Sequence, residues 1–174
     1  MSTRSITLAA VNALSYDDFV AALGPLFEHS PWIAAATWPA RPFATLDQLH
    51  QVLCATMYAA PLERQVALIQ AHPDLAGKAA IAGELTTASA REQSSAGLSQ
   101  LSPEEFADFT RLNNAYRERF GFPFVICARE HNKTSILEQF VLRLEHGREQ
   151  EISAALGEIA KIARLRLLDA VQSE

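Results

Sequence analysis

Histidine is the side chain that titrates near neutrality without help, and His72 stands where its neighbours act on it. Pro73 follows directly, and a residue before proline is biased away from helical torsions. A helix rising through Leu62, Val66 and Ile69 should therefore end close to His72, where the negative end of the helix dipole favours the imidazolium. His72-Pro73-Asp74 reads either as a general acid or base or as an ordinary C-terminal cap, and the tripeptide alone favours the cap. A second place is Ser89-Ala90-Arg91-Glu92-Gln93, where Ser89 and Glu92 have the spacing of a capping box and predict a helix start at Ser89. The same geometry would gather free N–H groups, a hydroxyl, a carboxylate and an amide, a cradle for an anion or a urea-like group. Here too spacing alone favours the cap.

The third place is Gly121-Phe122-Pro123-Phe124-Val125-Ile126-Cys127-Ala128-Arg129. So long an apolar run in a connection is expected to thread the interior, with Phe122 extended before its proline. Its buried N–H and C=O groups must find partners, a polar ligand among the candidates. Cys127 could serve as a nucleophile, but a free cysteine is more often a small core hydrophobe, and nothing nearby in sequence lowers its pKa. The fourth place is Arg166, which sits in the apolar column Ile152, Leu156, Ile159, Ala163 of the last segment. Arginine is seldom buried unless paired, so it snorkels outward or meets an anion, and snorkelling is the favoured reading.

Helical segments must position these groups. Ser15 with Asp18 opens a stretch on Phe19, Val20 and Leu23 that Gly24-Pro25 stops. Thr45 with Gln48 has capping-box spacing ahead of Leu46, Leu49, Val52, Leu53 and Met57, and Pro61 suits the first position of the helix before His72. Ser102-Pro103-Glu104-Glu105 is the strongest start, followed by Phe106, Phe109, Asn113, Tyr116 and Phe120, with Gly121 as the stop. Thr134 begins a stretch with Leu137, Phe140, Val141 and Leu144 as its expected inner face and Gly147 as its stop. A last helix covers about 149 to 171. Residues 73–101 and 121–133 are irregular between these segments, and connections are where sites are expected.

The chain has 174 residues, with 51 Ala and Leu against 16 Val and Ile, which favours helices over strands. A single all-α domain over 1–174, a bundle of about six to nine helices, is the expected architecture. A net charge of −5 without a basic stripe argues against nucleic acid as a partner. Cys54 and Cys127 lie too far apart for a CxxC metal or redox motif, and a reducing compartment is the default. No apolar run reaches the roughly 18 residues of a membrane span, and neither an export signal nor a peroxisomal tripeptide is visible. The expectation is a soluble, cytoplasmic protein.

Read together, His72-Pro73-Asp74-Leu75-Ala76, then Ser89-x-x-Glu92-Gln93, then Leu112-Asn113-x-x-Tyr116-x-x-Arg119-Phe120-Gly121-Phe122-Pro123-Phe124 closely resemble one family. It is the OHCU decarboxylases, where OHCU is 2-oxo-4-hydroxy-4-carboxy-5-ureidoimidazoline, and the resemblance runs from about Leu14 to Leu168. It implies an all-α homodimer that forms (S)-allantoin in the last step from urate and needs no metal or organic cofactor. Urate oxidase and hydroxyisourate hydrolase would be its pathway partners. By the same resemblance His72 is the catalytic histidine and Glu92 the glutamate paired with it. Pro73, Ser89, Gln93 and the backbone of Phe124, Val125, Ile126, Cys127 and Ala128 match ligand-contacting positions, and Arg166 matches a pocket arginine.

Three other readings compete. His-Pro-Asp also marks J-domain cochaperones, binding modules whose preceding helix is rich in lysine and arginine; residues 61–71 hold only Arg64 as a base, against Glu63. A cysteine hydrolase would use Cys127 with His72 or His131. A helical scaffold without chemistry would leave three matched blocks and a displaced arginine each needing its own explanation.

Overall fold

Alanine and leucine carry this chain into helices, and short polar residues decide where each begins. The computed structural model describes residues 5–174. Its ten α-helices are α1 (Leu8–Ala13), α2 (Tyr16–Leu23), α3 (Trp32–Thr37), α4 (Leu46–Ala59), α5 (Leu62–Gln70), α6 (Lys78–Ala82), α7 (Thr87–Ser95), α8 (Pro103–Phe120), α9 (Lys133–Leu144) and α10 (Arg148–Ala170). Among the described residues the strands are two short pieces, β1 (Ile6–Thr7) and β2 (Val171–Gln172), paired in parallel with Ile6 opposite Val171. The fold is all-α in substance, as expected. The helix count runs past the expected range because α1, α3 and α6 are five or six residues long, too short for a periodic signal.

The helix starts follow hydrogen-bond chemistry, with local corrections to the sequence reading. At α8 both halves of the capping box form: Ser102 Oγ accepts from the Glu105 N–H at 3.1 Å, and Glu105 Oε2 accepts from the Ser102 N–H at 2.9 Å. Gly121 closes α8 with φ +79°, a left-handed torsion that glycine adopts without strain. Thr45 caps α4 as expected, but Gln48 reaches back to the Ala44 N–H rather than its own cap. Pro61 stands just outside α5 rather than at its first position. α9 starts earlier than Thr134, because Asn132 and Ser135 cap each other's N–H groups. Its buried residues are Ile136, Phe140 and Arg143, whereas Val141 is 57% exposed. Ile136 sets that face, and the charged Arg143 can share it because it finds a buried carboxylate. Phe106, expected on the inner stripe of α8, is exposed.

The chain groups into two compact units, one ending at Ala71 and resumed by Ala160–Glu174, the other His72–Ile159. In the first, α2, α3 and α4 pack together around Phe19, Leu23, Ile33, Leu49, Leu53 and Met57. In the second, Tyr116 stands within a ring of Phe120, Phe122, Phe124 and Phe140, and Phe124 stacks on Phe140 with centroids 3.8 Å apart. No described helix is long and apolar enough to cross a membrane.

Candidate active site

α5 ends at Gln70, and Ala71 caps it through N–H bonds to the preceding turn. His72 is thus the first residue past the cap rather than the cap itself, and it is buried. The chain beyond it makes a tight loop. Ala76 takes φ +50°, and a Cβ on Gly77 would lie 2.7 Å from the Asp74 Cβ, so the backbone can turn there only with glycine. This strained path is held from two helices. Gln93 of α7 accepts from the Ala76 N–H at 3.0 Å and donates to the Asp74 carbonyl at 3.2 Å. Asn113 of α8 donates to the Leu75 carbonyl at 2.8 Å, and Arg117 pairs with the Asp74 carboxylate at 2.8 Å. Three successive residues after His72 are therefore fixed by side chains.

α7 overturns one expectation. Its cap is Thr86, whose hydroxyl accepts from the Ser89 N–H at 3.2 Å, so Ser89 lies inside the first turn and does not open the helix. Freed from capping, Ser89 turns inward. The buried residues of α7 are Ser89 and Gln93, with Glu92 half-buried beside them at the spacing that shares one helix face. A helix that turns polar groups inward needs polar company there. α7 also packs against the 3₁₀ turn Ala128–Glu130, at the end of the apolar connection.

That connection is buried from Phe122 to Ala128, as the sequence predicted. Its polar backbone has partners at defined points: Val125 C=O accepts from Arg143 Nη1 at 2.7 Å, and the Cys127 N–H donates to Glu158 Oε2 at 3.1 Å. Behind it, Glu151 is 0% exposed and accepts from Tyr116 at 2.5 Å, Arg143 Nε at 2.8 Å and His146 Nδ1 at 2.8 Å. Burial, followed by the hydrogen bond to Glu151, pushes the Tyr116 phenol well above its usual range, so it remains a donor.

The second unit thus carries His72, half-buried Pro73, Ser89, Glu92, Gln93 and the Phe124–Ala128 backbone. Arg166 belongs to the first unit. It does not snorkel: it is 7% exposed, and Nη1 donates to Glu28 Oε2 at 3.0 Å and to the Pro25 carbonyl at 3.2 Å. An internal carboxylate was available, which removes the reason to reach for water. Nothing in the sequence pattern distinguishes Arg117, Arg143, Glu151 and Glu158 from solvated helix charges. Asn113 did carry a signal, being an amide in the apolar stripe of α8. Among the described residues no group of three or more His, Cys, Asp and Glu side chains could hold a metal ion.

Comparison with known proteins gives these positions a context. The family model for OHCU decarboxylase matches residues 12–168. A Haloferax volcanii protein named 2-oxo-4-hydroxy-4-carboxy-5-ureidoimidazoline decarboxylase is 41% identical over 171 residues, 98% of this chain and 99% of that one. A protein of the same name from Amia calva is 44% identical over 162 residues, covering 93% of each chain. The crystal structure of an (S)-allantoin synthase superposes with a TM-score of 0.76 at 27% identity; it covers 96% of this chain, which spans about half (54%) of that one. With its motif residues clamped as described and its length matched almost throughout, the chain belongs to the OHCU decarboxylase family.

Proposed function

We propose that this chain decarboxylates OHCU and protonates the product on one face, giving (S)-allantoin and CO₂. In the substrate one ring carbon carries the hydroxyl and the carboxylate, and its neighbour carries the ureido arm and the ring C=N bond. Breaking the bond to the carboxylate releases CO₂ and sends its electron pair into a double bond between the two carbons. The C=N pair moves onto the ring nitrogen, which takes up a proton. The enol so formed gives up its hydroxyl proton, and protonation of the ureido carbon returns the enolate to a carbonyl. The face of that last protonation fixes the configuration.

His72 delivers the hydrogen to the ureido carbon, and Glu92 holds the imidazole in one tautomer. N–H groups of the Phe124–Ala128 stretch stabilise the enolate oxygen as charge develops. Ser89 and Gln93 hold the ureido arm, and Pro73 lies against the ring. Arg166 keeps, on the resemblance alone, its part in pairing with a substrate oxygen. The observation that carries this reading is the polar inner face of α7, tied by Gln93 to the loop behind His72. A family match unbroken from 12 to 168 supports treating 1–174 as one functional domain. We take it to act as a cytoplasmic homodimer, supplied by hydroxyisourate hydrolase downstream of urate oxidase.

The test generates OHCU in situ from urate with the two preceding activities and follows optical rotation with and without this protein. Rotation should develop only with it. His72→Ala should abolish enantiospecific turnover while the helical circular dichroism stays intact, and near wild-type rates in that variant would remove His72 from the mechanism.

A further inference from the structure

Arg143 is a cation almost wholly enclosed in the second unit, and none of the roles above uses it. Its Nε donates to Glu151, its Nη1 donates to the Val125 carbonyl, and its guanidinium lies 4.3 Å from the Phe124 ring centroid. Glu151 is held in turn by Tyr116 and His146. An ion pair this deep is weak evidence of a stabilising device, because desolvation offsets most of the attraction. What the pair does have is direction: the planar fork reaches a carboxylate and a backbone carbonyl at once, which a lysine nitrogen cannot do in the same geometry.

The consequence falls on the next peptide group. In a trans peptide the C=O of one residue and the N–H of the next point to opposite sides. Drawing the Val125 oxygen to Arg143 turns the Ile126 N–H away from it, and among the described residues no protein group accepts from that N–H. The following N–H, that of Cys127, is already engaged by Glu158. Ile126 therefore offers a buried donor with a fixed heading, in the stretch expected to meet substrate.

We infer that Arg143, seated on Glu151, is a positioning residue that sets the Val125–Ile126 peptide plane so that the Ile126 N–H meets the enolate oxygen as the enol left by CO₂ loss gives up its hydroxyl proton. The inference rests on the decarboxylase reading above. Its counterpart is a purely structural pin, which would affect folding and leave the chemical step alone.

Arg143→Lys and Glu151→Asp separate the two, assayed beside the wild type on OHCU generated in situ, with melting temperature and circular dichroism recorded for each. The expected result is a fall in kcat of about ten- to a hundredfold for Arg143→Lys, in the range for a misplaced oxyanion donor, with KM within about threefold of wild type. A lowered melting temperature with unchanged kcat would identify a structural pin and overturn the inference. If Arg143→Lys does not fold, Glu151→Asp decides: it keeps the charge and withdraws it by one methylene. A kcat loss of about threefold or more in folded Glu151→Asp supports the role, and a smaller change overturns it. An inactive wild type overturns the decarboxylase reading and this inference together, whereas an active wild type with unaffected variants overturns only Arg143.

Discussion

Gln93 uses both ends of its carboxamide on one loop, and its neighbours make that use consequential. Ala76 sits in a left-handed torsion that disfavours alanine, and the bond from its N–H to Gln93 is one of the forces that keeps it there. Gln93→Ala would leave the Ala76 N–H and the Asp74 carbonyl without their partner, a loss of about 1–3 kcal/mol for buried groups left unsatisfied. We expect a lower denaturant midpoint with an unchanged m-value, and a kcat loss larger than the stability change alone explains, because Gln93 both anchors the loop next to His72 and, in the proposed reaction, holds the ureido arm. Full activity in a folded Gln93→Ala variant would separate the loop from catalysis. At this scale the sequence singles out His72 before its proline, Gln93 beside Glu92 and Arg166 in an apolar column, but its favoured readings of a cap at Ser89 and a snorkelling Arg166 do not hold. It was unreadable for Arg143 and Glu151. Charges on a helix read as solvated unless a partner is known, and no spacing rule links α9 to the first turn of α10.

Elements were legible in proportion to their caps. α8 carries a complete box, an N1 proline and a closing glycine, and its span came out as read; α7 did not, because Thr86 captured the cap and left Ser89 free to turn inward. Ser102→Ala should cost about 1 kcal/mol, the usual worth of such a cap. The same box predicts a pH dependence. The Lys133 ammonium, then the Ser102 N–H, holds the Glu105 carboxyl below its usual range. A carboxyl whose folded pKa is depressed stabilises above its unfolded pKa, about 4.3 for glutamate, and that contribution disappears as pH falls through the folded value. Lys133→Met should therefore flatten the loss of stability with acid just below that pH and leave the neutral-pH slope alone. Urea titrations at a series of pH values read both effects, and an unchanged acid limb would show that the pair is screened by solvent.

At the scale of the whole molecule, one helix enters both compact units: α10 contributes Arg148–Ile159 to one and Ala160–Ala170 to the other. Composition foretold helices but not this division, since nothing in the pattern of a 23-residue helix marks where its contacts change. A helix is cooperative along its length, and ending it between Ile159 and Ala160 would leave carbonyl and N–H groups at the break without partners. The two units should therefore unfold together. The chain carries its own reporters, Cys54 in the first unit and Cys127 in the second, both buried. Burial pushes the Cys54 thiol up to about 11, and Cys127 is 1% exposed, so alkylation of either at neutral pH requires opening. Pulsed labelling across a urea series, with the two sites resolved by peptide mass, should give coincident midpoints for Cys54 and Cys127. Exposing the folded protein to the alkylating agent should leave both thiols unmodified and activity intact, where a cysteine hydrolase with a reactive Cys127 would be modified and lose it. Separated midpoints would mean that α10 breaks near Ile159 before either unit opens fully, and would make each unit a folding entity of its own.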